Sequence, residues 1–491
     1  MLFVIGLIVA FGVALAARLV PMLRGGGLYA LGNYDDGVHF AAAIGVIHDL
    51  LPYRDFLFLH PPGVLLALAP FAAVADVLGE PNAMAIARVS WMILGAVNAV
   101  LCGIVLRPLG EMAAFISALL YAVFFPAVYV EHTALLEPPL TALMLAALVI
   151  TRALGDGDGV DSRHYVLAGI LLGVAPAVKI WGVVTVLVIA VGLAYQRGIR
   201  QGLTVLLSAI ASCTVIYLPF FLSAPAAMWQ MLVVDQLGRR RVAYDGVRRV
   251  DDVLGLMLWT QPPRLHLGTA AAFLLLLAAG LVCLVRPRLR LLAALLTAYG
   301  VLLMATPSWL QHYSGFSAAP IVLVLGAGLA IVLQWASTVK RWLPAALAWL
   351  AAALVLASAI PLTERRQGRY FPGRSAAEVV ANVDGCVVTD MPMTLIQMNV
   401  LRRNINRGCR YEVDLGGASY HLPAGAAEDG PRSRNPVWQN YAIEYLRSGT
   451  AVVIARFSSG GGGFSPEIFR VIQSWPEIGR ADRYVIRRPQ P

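Results

Sequence analysis

Two short stretches hold the side chains most able to do chemistry. NYDDGVHF (33–40) places Asp35 and Asp36 side by side, with His39 one turn on. YRDFLFLHPPG (53–63) adds Arg54, Asp55, His60, Pro61 and Pro62. Paired carboxylates suit removal of a proton from a hydroxyl nucleophile. Farther along, YVEHTALLEPPL supplies Glu131, His132 and Glu137, and VAPAVKIWG supplies Lys179. DQLGRRRVAYDGVRRVDD (235–252) carries five arginines, among them Arg239, Arg240 and Arg241. TPSWLQHYSGFSAAP adds His312 and Tyr313. Acids dominate the early segments and cations the later ones. Carboxylates fit a base or an acceptor clamp, whereas guanidinium and ammonium groups fit a phosphate.

These groups are set in an apolar chain. The 491 residues are 59% hydrophobic and only 13% charged, with a mean hydropathy of +0.72. A soluble domain carries about 25% charged residues, so an integral membrane protein is expected. Apolar runs long enough to cross a bilayer fall at about 2–18, 84–106, 112–129, 138–153, 165–178, 180–195, 203–220, 269–285, 291–305, 317–335 and 343–360. The first lacks the basic start of a signal peptide and reads as a retained helix. The net charge of +10 comes with no base-reading module, so nucleic acid is not an expected partner.

The apolar stretch 64–79 is short and follows Pro-Pro-Gly, which predicts an interfacial helix. About eleven spans then place the N-terminus in the cytoplasm and the C-terminus outside. Arg107, Arg152, Arg163, QRGIRQ, RPRLR and VKRW fall on the inner side, as the positive-inside rule expects. The arginine-rich loop falls outside and departs from that rule. Outer loops are expected at about 19–83, 130–137, 221–268 and 306–316, and they gather the ionisable groups on one membrane face. Such groups in apolar surroundings are functional candidates.

From about 361 the sequence changes character. CVVTD, TAVVIARF and DRYVIRR read as short strands, and SAAEVVANV, NYAIEYLRSG and SPEIFRVIQSW as helices. Ser465 with Pro466 marks one helix start. A transmembrane region over 1–360 and an extracytoplasmic α/β domain over 361–491 are expected. Cys386 and Cys409 are the pair on the oxidising side and candidates for a disulfide. Cys102, Cys213 and Cys283 read as core residues. GDGDGVD (155–161) lacks the spacing of a calcium loop, and SSGGGGF (458–464) lacks the context of a phosphate loop.

YDDGVHFAAA followed by FLFLHPPG resembles the Asp-Glu…His-Pro-Pro-Leu-Gly pattern of protein O-mannosyltransferases and the related aminoarabinose transferases, which are C-type membrane glycosyltransferases. The resemblance implies a polyprenyl-phosphate sugar as donor. It implies that Asp35 and Asp36 are the catalytic acidic pair, and that His60, Pro61 and Pro62 open an interfacial helix shaping an outer-face pocket. LLEPP sets Glu137 at the family's second acidic motif, with Glu131 beside it. Lys179 and the QHYSGFSAAP loop also resemble family features. A glycosyl phosphate has its own leaving group, so the reaction needs a base for the acceptor hydroxyl and positive charge for the phosphate. Asp35 is the expected base, with inversion at the anomeric carbon. Lys179, Arg239, Arg240, Arg241, His312 and Tyr313 are expected at the donor phosphate. Glu131 and Glu137 are expected to orient a cell-envelope acceptor or, secondarily, a divalent cation. Asp36 stands where Glu is usual and Gly63 where Leu is usual, which leaves the sugar open. The alternatives are a lipid or sugar transporter and a noncatalytic envelope-assembly protein.

Each residue also has a purely structural use. Asp35 or Asp36 can cap a helix, Glu137 can sit at a positive helix end, Lys179 can snorkel, and the arginine loop can bind anionic lipid.

Overall fold

The computed structural model describes residues 2–155, 160–239, 246–256, 262–364, 367–368, 370–422 and 431–490. It is an α-helical membrane protein with a small sheet near the C-terminus. In chain order the first helices are α1 (Leu2–Gly25), α2 (Tyr34–Ile47), α3 (Gly63–Leu78), α4 (Glu80–Leu106), α5 (Glu111–Val123), α6 (Phe125–Glu131), α7 (Glu137–Ile150), α8 (Ser162–Val178), α9 (Gly182–Arg197) and α10 (Ile199–Ser223). Long apolar helices follow at Pro262–Val285, Arg290–Ala305, Ala318–Val339 and Leu343–Glu364.

Among the described residues, 7 helices are long and apolar enough to cross a membrane, or 8 if α5 and α6, bent by 56° at Phe124, form one span. Helices α7, α8 and α9 have 14, 17 and 16 residues and coincide with three further expected spans. The short apolar stretch after Pro-Pro-Gly is the separate helix α3. Pro62 is its N-cap residue, a place where the missing N–H of the preceding prolines disrupts no helical ladder.

The chain packs as two compact units. One comprises Met1–Arg24, Val89–Tyr217 and Val242–Arg366; the other comprises Gly25–Arg88, Leu218–Arg241 and Gln367–Pro491. The compact units thus do not follow a sequence boundary near 360, because early segments pack with the C-terminal stretch.

In the first unit, Arg18 of α1 is fully buried. Its Nε donates to Glu131 Oε2 at 2.8 Å, and its Nη1 donates to the carbonyls of Ala14 and Ala122 at 2.8 Å each. The other Glu131 oxygen accepts from Asn98 Nδ2 at 2.8 Å and from the Tyr121 hydroxyl at 2.7 Å. Four helices are tied through this cluster. A buried charge persists only where it is paired and hydrogen-bonded.

In the second unit, β1 (Val387–Thr389), β2 (Ala451–Val453), β3 (Glu477–Ala481) and β4 (Tyr484–Arg487) form one sheet in the order β1-β2-β4-β3. β1 and β2 are parallel, with Val388 beside Val452; the other pairs are antiparallel. β3 has no counterpart among the strands read from the sequence. EIGRA holds a glycine and two charged residues, a composition tolerated at a sheet edge. Asp482, read as strand, lies at φ 52° in the turn between β3 and β4. The three expected helices are present at Gly373–Val380, Pro436–Arg447 and Pro466–Ser474, and Ser465 accepts the N–H of Ile468 at 3.2 Å. Cys386 and Cys409 form a disulfide. Cys102, Cys213 and Cys283 are free thiols, buried or half-buried.

Small residues bring α2 against the C-terminal stretch. A Cβ on Gly37 would lie 2.9 Å from Met393 Cβ, and one on Gly45 would lie 2.9 Å from the Tyr411 ring. Ala41, between them on the same helical face, accepts the Tyr411 hydroxyl at 2.5 Å. At the start of α4, Asn399 Oδ1 accepts the N–H of Glu80 at 2.8 Å. The Glu80 carboxylate in turn accepts the N–H groups of Leu401 and Arg402 at 3.1 and 2.7 Å. The exchange satisfies orphan donors at two helix starts.

Candidate functional site

The adjacent aspartates have different surroundings. Asn33 caps α2 by accepting the N–H of Asp35 at 3.1 Å. Asp36 is fully buried and pairs with Arg88, whose Nη2 donates to Oδ2 at 2.8 Å. Arg88 also donates to the carbonyls of Gly27, Leu28 and Ala30 at 2.8, 2.9 and 2.9 Å. It therefore fixes the turn that leads into α2. Asp35 is half-buried.

The C-terminal part of the same unit supplies groups around Tyr34 and Asp35. The Tyr34 hydroxyl accepts the N–H of Gly416 at 2.9 Å, and its ring lies 5.8 Å from that of Phe457. Asp414 opens this turn and accepts the N–H of Gly417 at 2.6 Å. Burial pushes the Asp414 carboxyl up to about 7; the charges of Asp35 and Glu412 add to the rise, while the Gly417 N–H and Arg432 oppose it. Burial, then the Asp414 charge, raises the Tyr34 phenol well above its usual value. Arg432 donates to the Gly416 carbonyl at 3.1 Å and lies over the Trp438 and Phe457 rings.

His60 packs edge-on against His39 at 4.8 Å between ring centroids, and its carbonyl accepts the Tyr53 hydroxyl at 2.7 Å. The segment leading into the arginine loop runs beside it. Gln236 donates to the Leu59 carbonyl at 2.5 Å, and Asp235 joins His421 at 2.7 Å. Arg239 stacks over Tyr420, its guanidinium carbon 4.8 Å from the ring centre. Arg240 and Arg241 lie outside the described residues.

The first unit brings together a second set. Lys179, the C-cap residue of α8, is buried and paired with Glu137 at the start of α7. Its ammonium lies 4.3 Å from the Trp181 ring centre and 4.7 Å from that of Tyr313. His312 lies within electrostatic range of Glu137 and edge-on to Tyr313 at 4.8 Å. Glu137, Lys179, His312 and Tyr313, scattered over the sequence, form one cluster. Glu131 does not join it, since its carboxylate is occupied by Arg18, Asn98 and Tyr121. Arg249, also from the arginine loop, donates to the carbonyls of Leu303, Met304 and Thr306 at 3.3, 3.3 and 2.9 Å. It caps a helix end where a cation is favoured. Among the described residues, no group of three or more His, Cys, Asp or Glu could hold a metal ion.

Sequence reasoning missed Arg88, Arg18, Tyr34, Asp414 and Trp181. Arg88 and Arg18 carried a usable signal, as lone arginines beside or within apolar helices. Asp414 carried none, because its relation to Asp35 spans 379 positions of sequence.

No family model matches the chain, and no curated protein matches it in sequence. Solved structures do match in fold. The ArnT structure from Cupriavidus metallidurans bound to undecaprenyl phosphate aligns with a TM-score of 0.61 at 15% identity, covering 99% of this chain and 97% of that one. The chain has a C-type glycosyltransferase fold. The apo state of the same ArnT gives 0.62 at 14% identity with the same coverage. The Archaeoglobus fulgidus oligosaccharyltransferase with a tethered acceptor peptide gives 0.61 at 12% identity, covering 92% of this chain and 68% of that one. Within the C-type fold, this chain's own asymmetry lies in its acidic pair: Asp36 is held by Arg88, and Asp35 is left half-buried.

Proposed function

We propose that the protein is an inverting glycosyltransferase that moves a sugar from a polyprenyl-phosphate donor to a hydroxyl of a cell-envelope acceptor on the outer membrane face. The observation that carries the reading is the division of labour between Asp36, ion-paired inside the fold, and Asp35, half-buried at the start of α2. The C-type fold, and undecaprenyl phosphate as the ligand of ArnT, support the donor class.

Asp35 takes the proton from the acceptor hydroxyl as its oxygen attacks the anomeric carbon. The bond from that carbon to the phosphate oxygen breaks, and the electron pair leaves with the polyprenyl phosphate. Lys179, with His312 and Tyr313 beside it, offsets the phosphate charge. Glu137 holds the ammonium of Lys179 in place. Preorganised charge of this kind is usually the largest contribution to catalysis. Glu131 is assigned to helix packing.

The test is a panel of polyprenyl-phosphate sugars offered to purified wild-type protein and Asp35→Asn. One donor should bind both proteins, and transfer should fall about 10²- to 10⁴-fold in the variant. Wild-type transfer rates in Asp35→Asn would remove Asp35 as the base.

A further inference from the structure

One short helix of the first compact unit buries three charged residues that the proposed reaction does not use. Gly246–Leu254, at the end of the arginine-rich stretch, keeps Arg249, Asp251 and Asp252 buried while Val247 is exposed. Such burial is costly unless each charge is held by partners. The Asp251 carboxylate accepts the Thr269 hydroxyl, and Arg249 donates to the Thr306 carbonyl at 2.9 Å. Asp252 Oδ2 accepts the indole N–H of Trp309 at 2.8 Å, with both side chains buried. Trp309 does not need a carboxylate for this. A backbone carbonyl satisfies an indole N–H equally well, and Trp91 in the same unit uses that of Leu135 at 2.8 Å. A carboxylate in that place adds the cost of a buried charge, so packing alone does not account for it.

The contact holds one wall of the Lys179 site. Trp309 stands edge-on to Tyr313, with ring centroids 6.2 Å apart and planes at 84°, an arrangement aromatic pairs prefer. Tyr313 also meets Trp181 edge-on, at 4.7 Å and 70°. The Lys179 ammonium lies 4.3 Å from the Trp181 ring centre and 4.7 Å from that of Tyr313. A cation within about 6 Å of a ring centre is attracted to it, so the placing of Tyr313 helps decide where the ammonium rests. We propose that Asp252 and Trp309 are positioning residues for the donor phosphate: their hydrogen bond fixes the Tyr313 ring and, through it, the Lys179 ammonium. This rests on the reading of Lys179 as the group that meets the phosphate. The arginine-rich stretch then acts on the donor through an acid, while Arg249 is occupied by carbonyls at a helix end and by the Trp309 ring, 5.3 Å from its guanidinium carbon.

The experiment measures undecaprenyl phosphate binding and the thermal midpoint on purified full-length protein. Trp309→Phe removes the N–H and keeps a ring, and should weaken the lipid about 3- to 10-fold, as expected for loss of one net hydrogen bond. Asp252→Ala should weaken it by a similar factor, and Asp252→Asn, which keeps an acceptor for the indole, should bind within about twofold of wild type. Trp309→Phe/Asp252→Ala should be no weaker than the worse single variant, because both remove the same contact. In a Lys179→Met background, Trp309→Phe should have no further effect. Wild-type affinity in Trp309→Phe overturns the proposal, whether or not Asp252→Ala folds. A lowered thermal midpoint with unchanged affinity overturns it too, and leaves the contact as packing. Binding by Asp252→Asn as weak as by Asp252→Ala overturns the hydrogen-bond argument, since charge would then be the operative property. Failure of the parent reading looks different: Lys179→Met would hold undecaprenyl phosphate as tightly as wild type, or wild type would not hold it at all.

Discussion

Arg88 Nη2 donates to Asp36 Oδ2 at 2.8 Å with both side chains fully buried, while the same guanidinium gathers three backbone carbonyls from the turn before α2. The pair therefore works as a bracket for the residue beside it. Truncating one partner leaves the other charge buried, at a cost of about 3–5 kcal/mol. Asp36→Ala and Arg88→Ala should each lower the thermal midpoint sharply. Arg88→Lys should not restore it, since an ammonium cannot reach a carboxylate and three carbonyls in one plane. A midpoint unchanged in Arg88→Ala would show that the bracket is dispensable.

Lys179 offers a separable test of donor binding. Losing one charge-assisted contact costs about 1.5–3 kcal/mol, so Lys179→Met should weaken undecaprenyl phosphate binding by about 10- to 100-fold. The single variant also strands Glu137. The double variant Lys179→Met/Glu137→Gln removes that penalty, and should regain thermal stability without regaining the lipid. Recovery of both together would make the lysine a structural partner only.

Stability should respond to pH through the acids of the C-terminal region. Burial raises the carboxyls of Asp390, Glu412 and Asp414 above their usual range, the last to about 7. An acid that binds its proton more tightly when folded lends stability below its unfolded value of about 4 and loses it as pH climbs through the folded value. Unfolding followed between pH 4 and 8 should therefore show a decline that Asp414→Asn flattens in part. A profile that rises with pH and is indifferent to Asp414→Asn would contradict the burial argument.

The disulfide joining Cys386 and Cys409 closes a loop with a sequence separation of 23. In the chain-entropy picture a loop of that size is worth about 3 kcal/mol. Reduction with dithiothreitol, or Cys386→Ser/Cys409→Ser, should lower the thermal midpoint. The double variant should then lose its sensitivity to the reductant, and continued sensitivity would place the effect elsewhere.

The sequence by itself determined the class, the positions of most helices and the short list of chemical groups. Apolar runs are long-range averages that survive any packing, so α1, α4 and α10 are readable from composition alone. NYDDGVHF and HPPG stood out because ionisable residues and prolines are expensive next to apolar helices. Ser465 was legible as a cap because a helix start needs a local acceptor.

Only the tertiary structure decided which of two adjacent aspartates is held inside the fold. Asp35 and Asp36 are identical in type, and the partner that separates them, Arg88, lies 52 residues away. The same holds for Glu131 and Glu137: one meets Arg18 inside a helix bundle, the other meets Lys179 among aromatic rings. β3 was illegible for a related reason, since an edge strand takes its order from its neighbour β4 rather than from its own β-branched content. Asp414 shows the limit most plainly. The turn it opens meets Tyr34 through the N–H of Gly416, on the helix whose Gly37 and Gly45 lie close against Met393 and Tyr411, and such proximity is a property of packing that no local pattern records.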